Sequence, residues 1–70
     1  MDRKFVSSSN IRSIGYDPKL NMLEVEFNSG DIYQYFDVPP HLYESFLHAS
    51  SYGQFMNDNI RYNYRYQKVS

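Results

Sequence analysis

Residues Leu20-Asn21-Met22-Leu23-Glu24-Val25-Glu26-Phe27-Asn28-Ser29-Gly30-Asp31-Ile32-Tyr33-Gln34-Tyr35-Phe36 carry two arms of alternating side chains around Asn28-Ser29-Gly30. A period of two, interrupted by turn residues, predicts a β-hairpin. On the first arm, Leu20 to Asn28, the side chains of Leu23, Val25 and Phe27 take one face and Met22, Glu24 and Glu26 the other. Asn28 and Ser29 suit right-handed turn positions and Gly30 the left-handed one, which favours a three-residue loop with a bulge at Gly30. Phe27 then faces Asp31, Val25 faces Tyr33 and Leu23 faces Tyr35, so both tyrosines point to the core side and Ile32 and Phe36 away from it. A two-residue Ser29-Gly30 turn would invert the second arm and expose the tyrosine pair beside Glu24 and Glu26.

Upstream of the hairpin, Asn10 to Tyr16 reads as a further strand through Ile11 and Ile14. Its turn falls at Asp17-Pro18-Lys19, where Pro18 presets φ and Asp17 can bond the backbone ahead of it. Residues 1–7 lack apolar periodicity and are expected to form a loose N-terminus, with Phe5 or Val6 tucked onto the core. Downstream, Val38-Pro39-Pro40 ends the sheet and starts a helix, because proline is tolerated in a first turn. Leu42, Phe46 and Ala49 recur at helical spacing, flanked by Tyr43 and Leu47. Ser50-Ser51 breaks that helix. A second one, from Tyr52 to about Ile60, brings Phe55, Met56 and Ile60 inward, with Gly53 allowing close approach. Tyr62, Tyr64 and Tyr66 alternate with Asn63 and Arg65, so an extended tail puts three rings on one face. The expected fold class is α+β: a three-stranded antiparallel meander followed by two short helices packed on one face, with an extended C-terminal tail available to pair at a sheet edge.

A chain of 70 residues is near the lower limit for a self-sufficient core, so residues 1–70 are read as a single domain. With no cysteine, neither disulfides nor thiolate metal sites can brace it, and packing must do so. Aromatic side chains make up 19% of the residues and supply much of the buriable area. A net charge of −1 gives no global field to draw the chain onto nucleic acid, so any such role needs a local patch. The N-terminal residues offer no apolar signal region and no stretch approaches a membrane span, which makes the cytoplasm the expected location.

These segments also fit a family. Ser8-Ser9-Asn10-Ile11-Arg12-Ser13-Ile14-Gly15-Tyr16-Asp17, then Leu23-Glu24-Val25-Glu26-Phe27 with Gly30, then Tyr33-Gln34-Tyr35-Phe36-Asp37-Val38-Pro39 resemble the KTSC domain, named for its occurrence at the C-terminus of some lysyl-tRNA synthetases. Gly53-Gln54-Phe55-Met56-Asn57, Ile60-Arg61 and Tyr64-Arg65-Tyr66 look like the family's closing segment, so the resemblance runs from Ser7 to Gln67. Attachment to a tRNA enzyme implies RNA as a partner by association.

Several constellations compete as sites. His41, Glu44 and His48 share one side of the first helix, but two turns separate the histidines and a solvated face explains them. Ser7-Ser8-Ser9 lacks the strained elbow and donor loop of a hydrolase nucleophile, and Glu24 with Glu26 reads as a charged outer face. No catalytic residue, metal site, cofactor or small-molecule substrate is therefore expected. Tyr33 and Tyr35 can serve either as core rings or as a base-stacking platform. The basic end, with Arg61, Arg65 and Lys68 among Tyr62, Tyr64 and Tyr66, is the candidate nucleic-acid site, cations on phosphate and rings on bases. The expected partner is RNA, either tRNA or single-stranded. The alternative is a protein partner or a second copy, bound at an exposed sheet edge or aromatic patch.

Overall fold

The computed structural model describes residues 2–70. Five strands form one antiparallel sheet in sequential order: β1 (Arg3–Phe5), β2 (Ile11–Asp17), β3 (Met22–Phe27), β4 (Ile32–Tyr35) and β5 (Tyr66–Lys68). Between β4 and β5 come α1 (Pro40–Leu47) and α2 (Tyr52–Phe55), the latter continued by a π-helical segment, Met56–Ile60. Among the described residues no helix is long and apolar enough to cross a membrane.

The hairpin has the bulged register. The Gly30 amide donates to the Phe27 carbonyl and the Phe27 amide to the Asp31 carbonyl, each at 2.9 Å, and Gly30 sits at φ +96°. Leu23 opposes Tyr35 and Val25 opposes Tyr33, placing the tyrosines on the helix side of the sheet. The turn before β3 also follows local chemistry, with the Asp17 carboxylate accepting from the Lys19 amide at 2.9 Å. Strand β3 begins at Met22 rather than Leu20, which stays in the turn and is largely exposed.

Three strands and a tail is an undercount. Residues 3–5, expected to be loose, pair with β2, Lys4 opposite Ile14. Apolar patterning does not mark this strand because packing is not what holds it. Arg3 donates to Ser13 Oγ at 2.9 Å and reaches both Glu24 and Glu26 across the outer face. The two glutamates are therefore half-buried under a guanidinium rather than standing free in water. Val6 packs at the core margin, whereas Phe5 is exposed with Arg12 over its ring. At the other edge the tail does pair, Tyr66 opposite Tyr35 and Lys68 opposite Tyr33. Gln67 then donates to Gln34, and Gln34 to Glu24, extending the polar ladder across the outer face.

The core lies between sheet and helices. Ile11, Ile14, Leu23, Val25, Val38, Phe46, Met56 and Ile60 are essentially inaccessible. Pro39 is the extended N-cap residue and Pro40 opens α1, as fixed φ allows. Phe46 is the one fully buried residue of α1; Leu42 and Tyr43 are half-buried, and Ala49 falls beyond the helix end. Phe46 stacks on Phe55, ring centroids 5.2 Å apart. Ser51 caps α2, its hydroxyl accepting from the Gln54 amide at 3.3 Å.

Candidate functional site

The helices cover only part of the inner sheet face. Over β3, β4 and β5 they leave a groove of about 600 Å³, with Phe27, Tyr33, Tyr35 and Tyr66 on the sheet side. The opposite wall is Gly53, Met56, Asn57, Arg61 and Tyr62, and Asn10, Asn28 and Asp31 close one end.

Pairing of β5 with β4 creates the aromatic floor. It sets Tyr66 beside Tyr35, and the ring centroids of Tyr66 lie 5.6 Å from Tyr33 and 5.7 Å from Tyr35. Phe27 meets Tyr33 edge-on at 5.7 Å. Tyr35 is only 3% exposed whereas Tyr66 is 57% exposed, so the floor grades from core into surface. The two sequence readings of Tyr33 and Tyr35 thus divide: Tyr35 is core, and half-buried Tyr33 reaches the groove. Burial pushes the Tyr35 phenol up to about 12, with Arg61 pulling it down and Tyr33 and Tyr66 adding to the rise. Among the described residues, no intramolecular hydrogen bond engages the hydroxyls of Tyr33, Tyr35 or Tyr66.

Arg61 is placed by the π-helical turn. Its amide donates to the Met56 carbonyl five residues back, at 2.9 Å. That wider turn buries Met56 and Ile60 while Asn57 and Arg61 both line the groove. The Arg61 guanidinium donates to Asn57 Oδ1 at 3.3 Å and lies 5.8 Å from the centre of the Tyr62 ring.

The C-terminal residues do not form one extended stripe. The Asn63 amide bonds back to the Ile60 carbonyl, so the chain turns through 61–64 and only Tyr66 of the three tyrosines is in a strand. Tyr62 is 81% exposed at the groove's rim, while Tyr64 packs against the core. The cations also separate. Arg65 pairs with Asp37 at 3.1 Å, over the Phe36 ring and away from the groove, and Lys68 pairs with Asp31 at 3.3 Å. Both pairs are largely exposed. Arg61 is the arginine that reaches the groove. Sequence reasoning missed Asn10, Asn57 and Phe27 as lining residues, because the tertiary approach of α2 to the β2 end is what gathers them. His41, Glu44 and His48 are exposed along α1, where His48 Nδ1 sits 2.8 Å from the Glu44 carbonyl.

Fold and site together define a small α+β domain in which a five-stranded meander, half-covered by helices, keeps one aromatic groove open. The chain belongs to the KTSC domain family, whose profile matches residues 7–64. A crystal structure of a KTSC domain protein from Yersinia pestis superposes with a TM-score of 0.96 at 40% identity, covering 99% of this chain and 97% of that one. An uncharacterized protein of Stutzerimonas stutzeri is 43% identical over 70 residues, 99% of each chain. A lysine–tRNA ligase of Nostoc punctiforme is 37% identical over 62 residues, which are 89% of this chain and 11% of the ligase.

Proposed function

We propose that the domain is a non-catalytic binding module that takes an unpaired stretch of RNA into the tyrosine-lined groove. The observation that supports this most directly is the meeting of Tyr33, Tyr35 and Tyr66 from adjacent strands with Arg61 and Tyr62 from the helical side. Exposed rings on a sheet stack bases at ~1–3 kcal/mol each, with little dependence on sequence. The groove volume, about 600 Å³, falls in the range of sites that enclose a small ligand. The presence of a similar segment in lysine–tRNA ligases points the same way.

Charge makes the interaction weak. Arg65 and Lys68 already have carboxylate partners, which leaves Arg61 as the principal cation for phosphate. The affinity should therefore fall with salt with a logarithmic slope of only about −1, the value for one to two phosphates on a single strand. Titrating the chain with short single-stranded RNA and with tRNA at low and physiological salt tests this. Tyr66→Ala should weaken binding by roughly tenfold, and Arg61→Ala should flatten the salt dependence. No binding at low salt would remove the reading.

A protein partner remains the second reading, supported by the outer edge of β5, which has no neighbouring strand among the described residues. Light scattering that shows a stable dimer without RNA would favour it.

A further inference from the structure

The floor of the groove carries a hydroxyl with no internal use. Tyr35 is 3% exposed, and the rings of Tyr33 and Tyr66 flank it with centroids at 6.3 Å and 5.7 Å. Among the described residues every buried polar side-chain atom has a hydrogen-bond partner, yet the Tyr35 hydroxyl makes no bond within the chain. The small part of Tyr35 that stays accessible therefore includes that oxygen. Tyr35 lines the groove, so its hydroxyl opens into it. A phenol oxygen that water can touch is also within reach of a ligand oxygen.

The surroundings of that oxygen favour an anion. Arg61 lines the same groove, and its guanidinium is near enough to pull the Tyr35 phenol down against the rise that burial imposes. Among the described residues the guanidinium has no carboxylate partner; it meets Asn57 Oδ1 at 3.3 Å and the Tyr62 ring. Asp31, the carboxylate that lines the groove, is already engaged by Lys68 at 3.3 Å and by the Ser29 hydroxyl at 3.2 Å. A guanidinium and a phenol O–H facing one space call for an acceptor with several oxygens and a negative charge. For an RNA strand that acceptor is phosphate. Depth then decides which phosphate. An internal phosphodiester continues into chain on both sides, whereas a monoester at a strand end has three unsubstituted oxygens and one attachment, so it can reach a nearly buried hydroxyl end-on. Near neutral pH the monoester also carries about 1.5 to 2 negative charges, more than the diester's one.

We propose that the groove recognises the phosphorylated end of a single RNA strand, with the Tyr35 hydroxyl and the Arg61 guanidinium on the terminal phosphate. This rests on the RNA reading above and narrows it from any unpaired stretch to a strand end. The ring surface of half-buried Tyr33 and exposed Tyr66 is left for the terminal base, whatever its identity. A 5′ and a 3′ monoester share this chemistry, and the test separates them.

The test uses the full chain and one internally labelled oligouridylate in three forms, with a 5′-phosphate, with a 3′-phosphate and with hydroxyls at both ends, followed by fluorescence anisotropy. The wild-type chain should bind one or both phosphorylated forms roughly tenfold more tightly than the hydroxyl-ended strand, the gain expected of charge-assisted hydrogen bonds. Tyr35→Phe keeps the ring and breaks no bond within the chain. It should cut that preference severalfold and leave the hydroxyl-ended strand within about twofold of wild type. Arg61→Ala, the second variant, should remove the preference altogether. A wild-type chain that binds the hydroxyl-ended form as tightly as the others, or a Tyr35→Phe chain that keeps the full preference, overturns the inference and leaves the groove reading standing. A chain that binds none of the strands overturns both.

Discussion

Two corners of the inner sheet face are built from tyrosine, and they treat the hydroxyl differently. At one, Tyr16 lies flat on Tyr43 with ring centroids 4.9 Å apart, and its hydroxyl donates to the Val38 carbonyl. Nearby, Tyr52 donates to the Leu47 carbonyl at 3.3 Å. At the other, the Tyr33, Tyr35 and Tyr66 rings stand further apart, at 5.6 Å to 6.3 Å, their hydroxyls make no intramolecular hydrogen bond among the described residues, and a helix covers only part of the cluster. A polar tip is costly to bury unless it is bonded. At the first corner the Tyr16 and Tyr52 hydroxyls meet that rule internally, and the half-buried rings pack against the core. At the second, Tyr35 is buried, and half-buried Tyr33 with exposed Tyr66 leaves ring surface and hydroxyls available to an outside group.

The largest effect should come from removing the closed side altogether. Phe46→Ala takes out the buried ring that stacks on Phe55 and is expected to destabilise by about 3–5 kcal/mol in urea or thermal melts. A near-neutral melt would mean that the helices do not seal that half.

Burial raises the Tyr16 and Tyr43 phenols at the first corner as well as Tyr35 at the second, so the next test isolates Tyr35 by substitution at alkaline pH. The Tyr35 phenol is raised from 10.0 to about 12, so below pH 10 it is neutral in folded and unfolded chains alike. Between those values the unfolded chain loses the proton and the folded chain keeps it. Stability then falls as pH rises, by at most about 1.4 kcal/mol per pH unit from this group. Tyr35→Phe should match the wild-type chain near neutrality and lose less stability above pH 10; parallel pH profiles would count against the buried phenol.

The smallest and most pointed pair compares hydroxyls alone. Tyr16→Phe strands the Val38 carbonyl and should cost about 1 kcal/mol, whereas Tyr66→Phe should change stability by less than about 0.5 kcal/mol. Equal costs would erase the distinction between the corners.

Much of this was legible in the residues. The hairpin register followed from Gly30 and the alternation around it, and with it the placement of Tyr33 and Tyr35 on the helix side. Local pattern carries that information because turn chemistry and side-chain period act over a few residues. The two edge strands were legible unequally: the tail was read as available to pair at a sheet edge, which it does, whereas the N-terminal strand was read as loose. Arg3–Phe5 is held by backbone pairing and by a guanidinium reaching Glu24 and Glu26, a contact between residues distant in sequence. Tyr62, Tyr64 and Tyr66 alternate as a strand does, yet the Ile60–Asn63 turn consumes the first of them. The site was half legible. Composition singled out Arg61, Tyr62 and Tyr66, but pairing with Asp37 and Asp31 took Arg65 and Lys68 out of the set of free cations, and only the packing of α2 near Asn10 revealed the polar rim.

The open corner can be interrogated directly by following side-chain resonances of the isotopically labelled chain as short single-stranded RNA is added. The expected result is that the Asn10 and Asn57 amides, the Arg61 guanidinium and the Tyr33 and Tyr66 rings shift together, while the Gln34 and Gln67 amides on the outer face stay in place. Shifts confined to the outer face, or none at all at low salt, would contradict the assignment of the groove as the binding surface.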